Sequence, residues 1–262
     1  MTLVSYNTGR RNSVKIRFFT RKICASHKLE MRKEAAQEWR CYDKKQLAIE
    51  VIERLKKQYP DAGCTLDYDE AWKLLVSVRL AAQCTDERVN IVVQGLFSQY
   101  PSVSALAHAD VDDIEKIVRP CGLGKSKSRD ISACMKLLHE KYNDKVPDTM
   151  EELLKLPGVG RKSANLIMGD VYGKPAIVTD THCIRLCNRI GLVKDEKEPK
   201  KVEMALWKIV PKEEGSDLCH RFVIHGREVC TARTKPHCDK CCLCDICKKC
   251  CSRIVLQEFN IL

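Results

Sequence analysis

Residues 156–185, LPGVGRKSANLIMGDVYGKPAIVTDTHCIR, constrain the fold of this chain more than any other segment. Gly158 and Gly160 predict a tight turn, because glycine turns sharply without a Cβ penalty and lets another backbone come close. A helix should follow directly, with Lys162 in its first turn, and Asp180 should open the next helix eighteen residues later. The segment therefore predicts two successive helices, the first of which begins at a glycine turn.

The start of the helix that carries Lys162 is suited to bind a phosphate. Its first N–H groups have no partner within the helix, and the helix dipole adds positive charge there. This positive end favours the neutral form of the Lys162 amine, which a nucleophile needs. Asp180 could cap its helix or accept a proton, and the two roles are compatible. Together these residues indicate an amine nucleophile beside a nucleic-acid backbone.

The remaining chain is predicted to be all-α. Leu47, Val51 and Leu55 recur at helical spacing, and further apolar stripes follow along the sequence. Convincing two-residue hairpins are absent, and only Ala-Ile-Val at 176–178 looks extended. No run approaches the roughly eighteen apolar residues that a transmembrane helix needs.

Capping residues predict several helix boundaries. Asp69 is a candidate cap for the apolar segment AWKLLVSVRLAAQ, and Thr149 with Glu152 forms a candidate capping box. Ser216 is expected to start a helix that Gly226 ends.

The formal net charge of +11 is concentrated at the start of the chain. Residues 1–40 hold ten Lys and Arg against three Asp and Glu. We therefore expect residues 1–42 to form a basic, disordered extension, either a transit segment or the product of translation from an upstream start. Three further basic clusters lie on motif loops: Lys125, Lys127 and Arg129; Arg161 and Lys162; and the residues that flank the C-terminal cysteines. Their placement favours contact with phosphates over a merely solvated surface.

Eight of the seventeen cysteines fall between positions 230 and 251. This clustering favours one metal loop in a reduced compartment over a disulfide scaffold. The loop reads Cys230-x7-Cys238-x2-Cys241-x5-Cys247, with Cys242, Cys244, Cys250 and Cys251 as alternative ligands. Four thiolates so close along the chain suit a [4Fe–4S] cluster, whereas structural zinc is usually held by two well-separated CxxC pairs.

Several motifs in one order resemble the endonuclease III family of DNA glycosylases with lyase activity. They are LPGVGRKSAN followed by VTDTH, AAQCTD at 81–86, GLGKSK at 122–127 and the cysteine loop, whose first spacer is one residue longer than in the family. The resemblance implies two helical subdomains that flank a DNA groove. Residues 64–175 would form a helical barrel with a helix-hairpin-helix near 150–170, and residues 43–63 and 176–262 would form the iron–sulfur-cluster domain.

The resemblance also implies a role for each motif residue. Lys162 would attack C1′ of the damaged nucleotide as a neutral amine, with Asp180 assisting, and the strand would then break by β-elimination. Gln83 and Leu123 would fill the gap that the extruded nucleotide leaves. The other expected DNA contacts are Gly158, Gly160, Arg161 and His182. The expected cluster ligands are Cys230, Cys238, Cys241 and Cys247.

The resemblance predicts a base-excision-repair enzyme that removes oxidised pyrimidines from duplex DNA and cleaves abasic sites. We expect a cytoplasmic monomer that uses a [4Fe–4S] cluster and has no membrane partner. An adenine-specific relative is one alternative, but that relative lacks a lysine at the position of Lys162. A non-enzymatic DNA-binding or redox-sensing protein is the other, although a passive clamp has no use for Lys162, Asp180, Gln83 and Leu123 together.

Overall fold

The computed structural model describes residues 43–250, and every regular element in that range is helical. The α-helices are α1 (Lys44–Gln58), α2 (Ala71–Leu80), α3 (Asp86–Gln99), α4 (Val103–His108), α5 (Val111–Val118), α6 (Gly124–Tyr142), α7 (Met150–Leu153), α8 (Arg161–Asp170), α9 (Thr181–Ile190), α10 (Pro199–Leu206) and α11 (Gly215–Glu228). Short 3₁₀ turns lie at Arg119–Cys121, Lys212–Glu214 and Cys238–Lys240. The all-α prediction is confirmed. The predicted extension at 1–42 and the alternative ligand Cys251 lie outside the described residues.

Residues 176–178 lie in the segment that connects α8 to α9. They form no strand, although their sequence looks extended, and all three side chains are buried. No helix in the range 43–250 is both long enough and apolar enough to span a bilayer.

Two of the predicted caps need correction. The N-cap of α2 is Glu70 rather than Asp69, and it makes no side-chain cap bond. Asp69 instead accepts a hydrogen bond from the Lys73 ammonium at 2.9 Å. Thr149 does accept from the backbone N–H of Glu152, but the Glu152 carboxylate accepts from Tyr142 and Lys155, so only half of the capping box forms.

Gly226 was expected to end α11, but it lies inside the helix, which continues to Glu228. A Cβ atom at Gly226 would sit 2.5 Å from His182 Nδ1 and 2.8 Å from Arg185 Nη2, both on α9. The glycine is therefore explained by the close packing of α9 on α11 and not by helix termination.

The buried apolar side chains form two separate clusters. The first core collects side chains between Leu66 and Ile167, from α2 through α8. The second core joins α1, including Leu47 and Leu55, to side chains between Ile177 and Ile246. This division supports the proposed domain boundaries near residues 63 and 175, because a domain is a chain segment with its own core.

Helix α8 connects the two cores. Its Leu166 side chain packs against both clusters. At its first residue, Arg161 donates from Nε and Nη2 to the two carboxylate oxygens of Glu203 on α10, at 2.6 and 2.8 Å. The Glu203 side chain is only 2 % exposed. A buried carboxylate held by a bidentate guanidinium thus fixes the start of α8 against the second core.

Arg161→Met should lower the free energy of unfolding by about 2–4 kcal/mol, because it leaves the Glu203 carboxylate buried without its cation. Lys201→Met, which removes an exposed partner of Glu198 from the same helix α10, should cost less than about 1 kcal/mol. Urea unfolding at neutral pH measures both. Equal losses in the two variants would contradict a structural role for the Arg161–Glu203 pair.

Candidate active site and cysteine cluster

A cavity of about 220 Å³ contains both residues of the predicted catalytic pair, Lys162 and Asp180. It is far larger than the ~30 Å³ share of one water. Its lining includes Leu66 and Val78 from the first core region and Val178 and Cys219 from the second. The cavity therefore opens where the two helical units meet.

Lys162 is the second residue of α8, two positions after the N-cap Gly160. Its side chain is exposed, and among the described residues it has no carboxylate within ion-pair distance. The sequence expectation is confirmed for its position at a helix start.

Asp180 is the N-cap of α9 and accepts a hydrogen bond from the backbone N–H of Cys183 at 2.7 Å. The predicted capping role is confirmed, and the bond fixes the carboxylate at the rim of the cavity. Among residues 43–250 no donor bonds to the second carboxylate oxygen, which can therefore take up a proton or face a positive charge.

The cavity also holds an ion pair that the sequence analysis did not single out. Arg227 Nη2 donates to Asp86 Oδ2 at 2.8 Å, and the Thr65 hydroxyl donates to the same oxygen at 2.6 Å. Burial raises the pKa of Asp86, but Thr65 and Arg227 outweigh it and hold that pKa below its usual value. The sequence signal that could have identified this pair is the AAQCTD motif, whose last residue is Asp86.

A histidine and an aspartate form another polar contact beside the cavity. His220 lines the cavity, and its Nε2 lies 2.8 Å from Asp170 Oδ1, which also accepts from the Ser216 hydroxyl at 3.2 Å. The second oxygen of Asp170 is buried without a hydrogen-bond partner in the described range. These residues come from α8 and α11, so no local sequence pattern links them.

His182 packs against Gly226 rather than lining the cavity. Its Nδ1 accepts from Arg185 Nη2 at 3.2 Å, since a guanidinium can only donate. Burial lowers the pKa of His182, so the ring is neutral at neutral pH with its proton on Nε2.

The two predicted gap-filling residues share an unusual backbone conformation. Gln83 has φ 58° and Leu123 has φ 53°, the left-handed region that non-glycine residues rarely occupy. Both side chains are exposed, Leu123 by 54 %. Gln83 follows the end of α2, and Leu123 precedes α6. Each side chain thus projects from a tight connection between helices.

The glycine turn before α8 has one sterically required glycine. Gly158 has φ 75°, and a Cβ there would lie 2.9 Å from the Asp130 Cβ and 3.0 Å from the Arg79 Cδ. Gly160 has an ordinary φ of −97° and open space around it. Gly158 is therefore explained by packing on the Arg79–Asp130 ion pair, whereas Gly160 leaves room for an approaching backbone.

One predicted phosphate contact is wrong. Lys127 was grouped with Lys125 and Arg129, but its side chain is completely buried. Its ammonium donates to the backbone carbonyls of Leu80 and Cys121, both at 2.8 Å. It cannot reach a phosphate from this position. Arg161 is held by Glu203, as described above, and its contact with DNA stays a prediction.

The cysteines of the C-terminal loop gather around a second, smaller cavity. Its lining includes Cys230, Cys238, Cys241 and Cys247, the four predicted ligands, as well as Cys244 and Cys250. The last two are joined to each other in a disulfide. Within residues 43–250, no group of three or more His, Cys, Asp or Glu side chains is placed so that it could hold a metal ion.

Hydrogen-bond donors point at two of these sulfurs. Arg189 Nη1 lies 3.2 Å from Cys230 Sγ, and the Leu243 N–H lies 3.4 Å from Cys241 Sγ. Cys241 Sγ is also 3.4 Å from Nε2 of His225, whose other ring nitrogen faces the Tyr59 hydroxyl at 3.1 Å. Burial lowers the pKa of His225 to about 4, so the neutral ring donates from one nitrogen only. Such donors stabilise thiolates that bind a metal centre.

Comparison with known proteins assigns this fold and site to a class. Residues 76–212, about half of the chain, match the HhH-GPD superfamily of base excision DNA repair proteins. The chain is 43% identical to endonuclease III of Synechocystis over 205 residues, covering 78% of this chain and 93% of the relative. It is 35% identical to endonuclease III of Escherichia coli K12 over 200 residues, covering 76% and 94%.

Solved structures agree with these relatives. A trapped endonuclease III–DNA covalent intermediate superimposes with a TM-score of 0.76 at 38% identity and covers 81% of this chain and 99% of that one. A thermostable thymine-DNA glycosylase, with a TM-score of 0.69 at 20% identity, shares the fold. The chain belongs to the endonuclease III family, and the predicted resemblance is confirmed. It is a DNA N-glycosylase and AP lyase of base-excision repair, and neither alternative function is needed.

Gly158→Ala should lower the free energy of unfolding by about 1–3 kcal/mol, and the melting temperature with it. The added methyl group would meet Asp130 and Arg79 at a residue whose φ is positive. Gly160→Ala is the matched control and should change stability by less than about 0.5 kcal/mol. Thermal unfolding followed by circular dichroism measures both variants. A larger loss for Gly160→Ala would contradict the assignment of the required glycine.

Proposed function

We propose that Lys162 is the nucleophile of this glycosylase/lyase. The neutral amine attacks C1′ of the nucleotide, and the glycosidic electron pair leaves with the base, which takes up a proton. The nitrogen then gives up a proton, the C1′–O4′ bond of the sugar ring breaks, and O4′ takes up a proton. The Schiff base left at C1′ acidifies the C2′ proton. Its loss pushes electrons toward the C3′–oxygen bond, which breaks and frees the 3′ side of the strand. The observation that carries the proposal is the unpaired lysine at the start of α8 in the same cavity as Asp180.

Asp180 assists this chemistry in the proposed mechanism. Its capping bond orients the carboxylate, which accepts the proton that the Lys162 ammonium loses. The same negative charge stabilises the positive charge that develops on the sugar as the base departs. Asp86 is tied to Arg227 and Thr65, which leaves Asp180 as the better proton acceptor of the two carboxylates in the cavity.

The proposed partner is duplex DNA that carries an oxidised pyrimidine or an abasic site. A nucleotide must leave the stack before its C1′ can reach Lys162. Gln83 and Leu123 are exposed on separate connections and fill the gap in the proposed complex. The turn at Gly158 and Gly160 offers backbone N–H groups to a phosphate, and Arg161 and His182 complete the proposed DNA-contacting set. A monomeric state and a cytoplasmic location stay predictions.

Cys230, Cys238, Cys241 and Cys247 hold a [4Fe–4S] cluster in this proposal. All four line one cavity, and the donors from Arg189, His225 and Leu243 suit thiolate sulfur. The bound cluster would act as a structural centre. The cysteine loop itself carries basic residues, which the cluster would hold in place for contact with phosphates.

Lys162→Ala should abolish base release and strand cleavage, because no other lysine of residues 43–250 lines the cavity, while binding to duplex DNA is retained. Borohydride reduction should cross-link the unmodified enzyme, but not this variant, to DNA with an abasic site. Lys116→Ala removes an exposed lysine that is paired with Asp113 on α5. It controls for the loss of one positive charge and should cross-link fully. An undiminished cross-link with Lys162→Ala would assign the nucleophile to another amine.

Cys238→Ser should remove most of the iron and the broad visible absorption, whereas the intact protein should contain about four irons per chain. Cys242→Ser changes a neighbouring cysteine outside the proposed ligand set and should keep both. Iron analysis and absorption spectra of anaerobically purified protein provide the measurement. A colourless, active preparation with stoichiometric zinc would rule out the cluster.

A further inference from the structure

Lys127 is a fully buried cation whose bonds end on main-chain carbonyls. Its side chain is 0% exposed, and none of the ion pairs within residues 43–250 includes it. Its ammonium donates to the carbonyls of Leu80 and Cys121, each at 2.8 Å. Burial of an ammonium is costly unless its protons are bonded. The two bonds offset part of this cost, and an apolar side chain at this position would give neither carbonyl a donor.

Both carbonyls lie at the ends of helical turns. Leu80 is the last residue of α2, and Cys121 is the last residue of the 3₁₀ turn before α6. Carbonyls at such ends lack partners within the helix and carry partial negative charge. Lys127 supplies donors to both and so ties together two segments that are distant in the chain.

These two segments carry the proposed gap-filling residues. Gln83 comes three positions after Leu80, and Leu123 comes two positions after Cys121. Lys127 also donates its backbone N–H to the Leu123 carbonyl at 3.0 Å. One residue therefore contacts the backbone of both connections.

The backbone at Gln83 and at Leu123 needs such support. Left-handed conformations of non-glycine residues cost energy and persist only where the surroundings determine them. Burial raises the pKa of the Cys121 thiol to about 11, so this thiol is neutral at physiological pH and adds no charge between the connections. Lys127 provides the charged link.

We infer that Lys127 is a positioning residue that holds Gln83 and Leu123 at a fixed separation, so that both enter the duplex as the nucleotide leaves it. The inference rests on the proposed gap-filling function of these two residues. It differs from a purely structural role, because it limits the effect of Lys127 to substrates in which a duplex has to be opened.

Lys127→Met tests the inference, since methionine is also long and unbranched but gives neither carbonyl a donor. Borohydride cross-linking rates are measured on one abasic sequence, as a duplex and as a single strand. We expect a loss of about 10²-fold on the duplex, the size typical of small misplacements. On the single strand, which has no gap to fill, we expect less than about threefold. Circular dichroism and thermal unfolding check that the variant is folded.

Two controls complete the experiment. The double variant Gln83→Ala/Leu123→Ala removes the gap-filling side chains themselves and should lose activity on the duplex alone. Lys125→Met removes an exposed lysine of the same helical turn and should affect the two substrates equally. If Lys127→Met does not fold, Lys127→Gln keeps an amide donor for one carbonyl and should show a smaller loss confined to the duplex.

The results separate the inference from the function on which it rests. One outcome would overturn the role of Lys127 alone. In it, the double variant loses activity only on the duplex, whereas the folded Lys127 variant loses the same factor on both substrates, relative to the unmodified enzyme. If the double variant loses the same factor on both substrates, the gap-filling function is overturned and the inference with it.

Discussion

The site depends on helix α8, which both apolar cores share. Ala164 and Ile167 are buried in the first core, while Leu166 also packs against the second. Close-packed interiors leave little room for a helix to shift or rotate. Packing on two sides therefore fixes the start of α8, and with it Lys162, at the junction where Asp180 lies.

Two ion pairs cross the junction between the cores and orient the helices that this packing brings together. Arg161 reaches Glu203 on α10, and Asp86 on α3 reaches Arg227 on α11. The Asp86–Arg227 pair occupies a carboxylate and a cation that line the cavity and would otherwise compete there. Lys162 is left without an ion-pair partner among the described residues, close to the capped carboxylate of Asp180. The chemistry of the cavity thus follows from which charges are already bound.

Lys127 and Gly226 show where sequence patterns mislead. A lysine in a basic cluster is usually exposed, yet the carbonyls of Leu80 and Cys121 make burial of Lys127 favourable. A glycine near the end of a helical pattern usually terminates it, yet Gly226 stays helical because α9 passes too close for a Cβ atom. In both cases the deciding contact comes from a residue distant in the chain, and local patterns contain no information about it.

The sequence by itself determined the helical fold, the glycine turn, the position of Lys162 at a helix start, the cap at Asp180 and the gathering of cysteines. These features depend on neighbours within a few residues, through helical period, capping and spacing. Only the tertiary structure decided that two cores form, that Asp86 pairs with Arg227, and that Lys127 links the connections of Gln83 and Leu123. The physical reason is that packing and buried hydrogen bonds join residues whose separation along the chain carries no periodic signal.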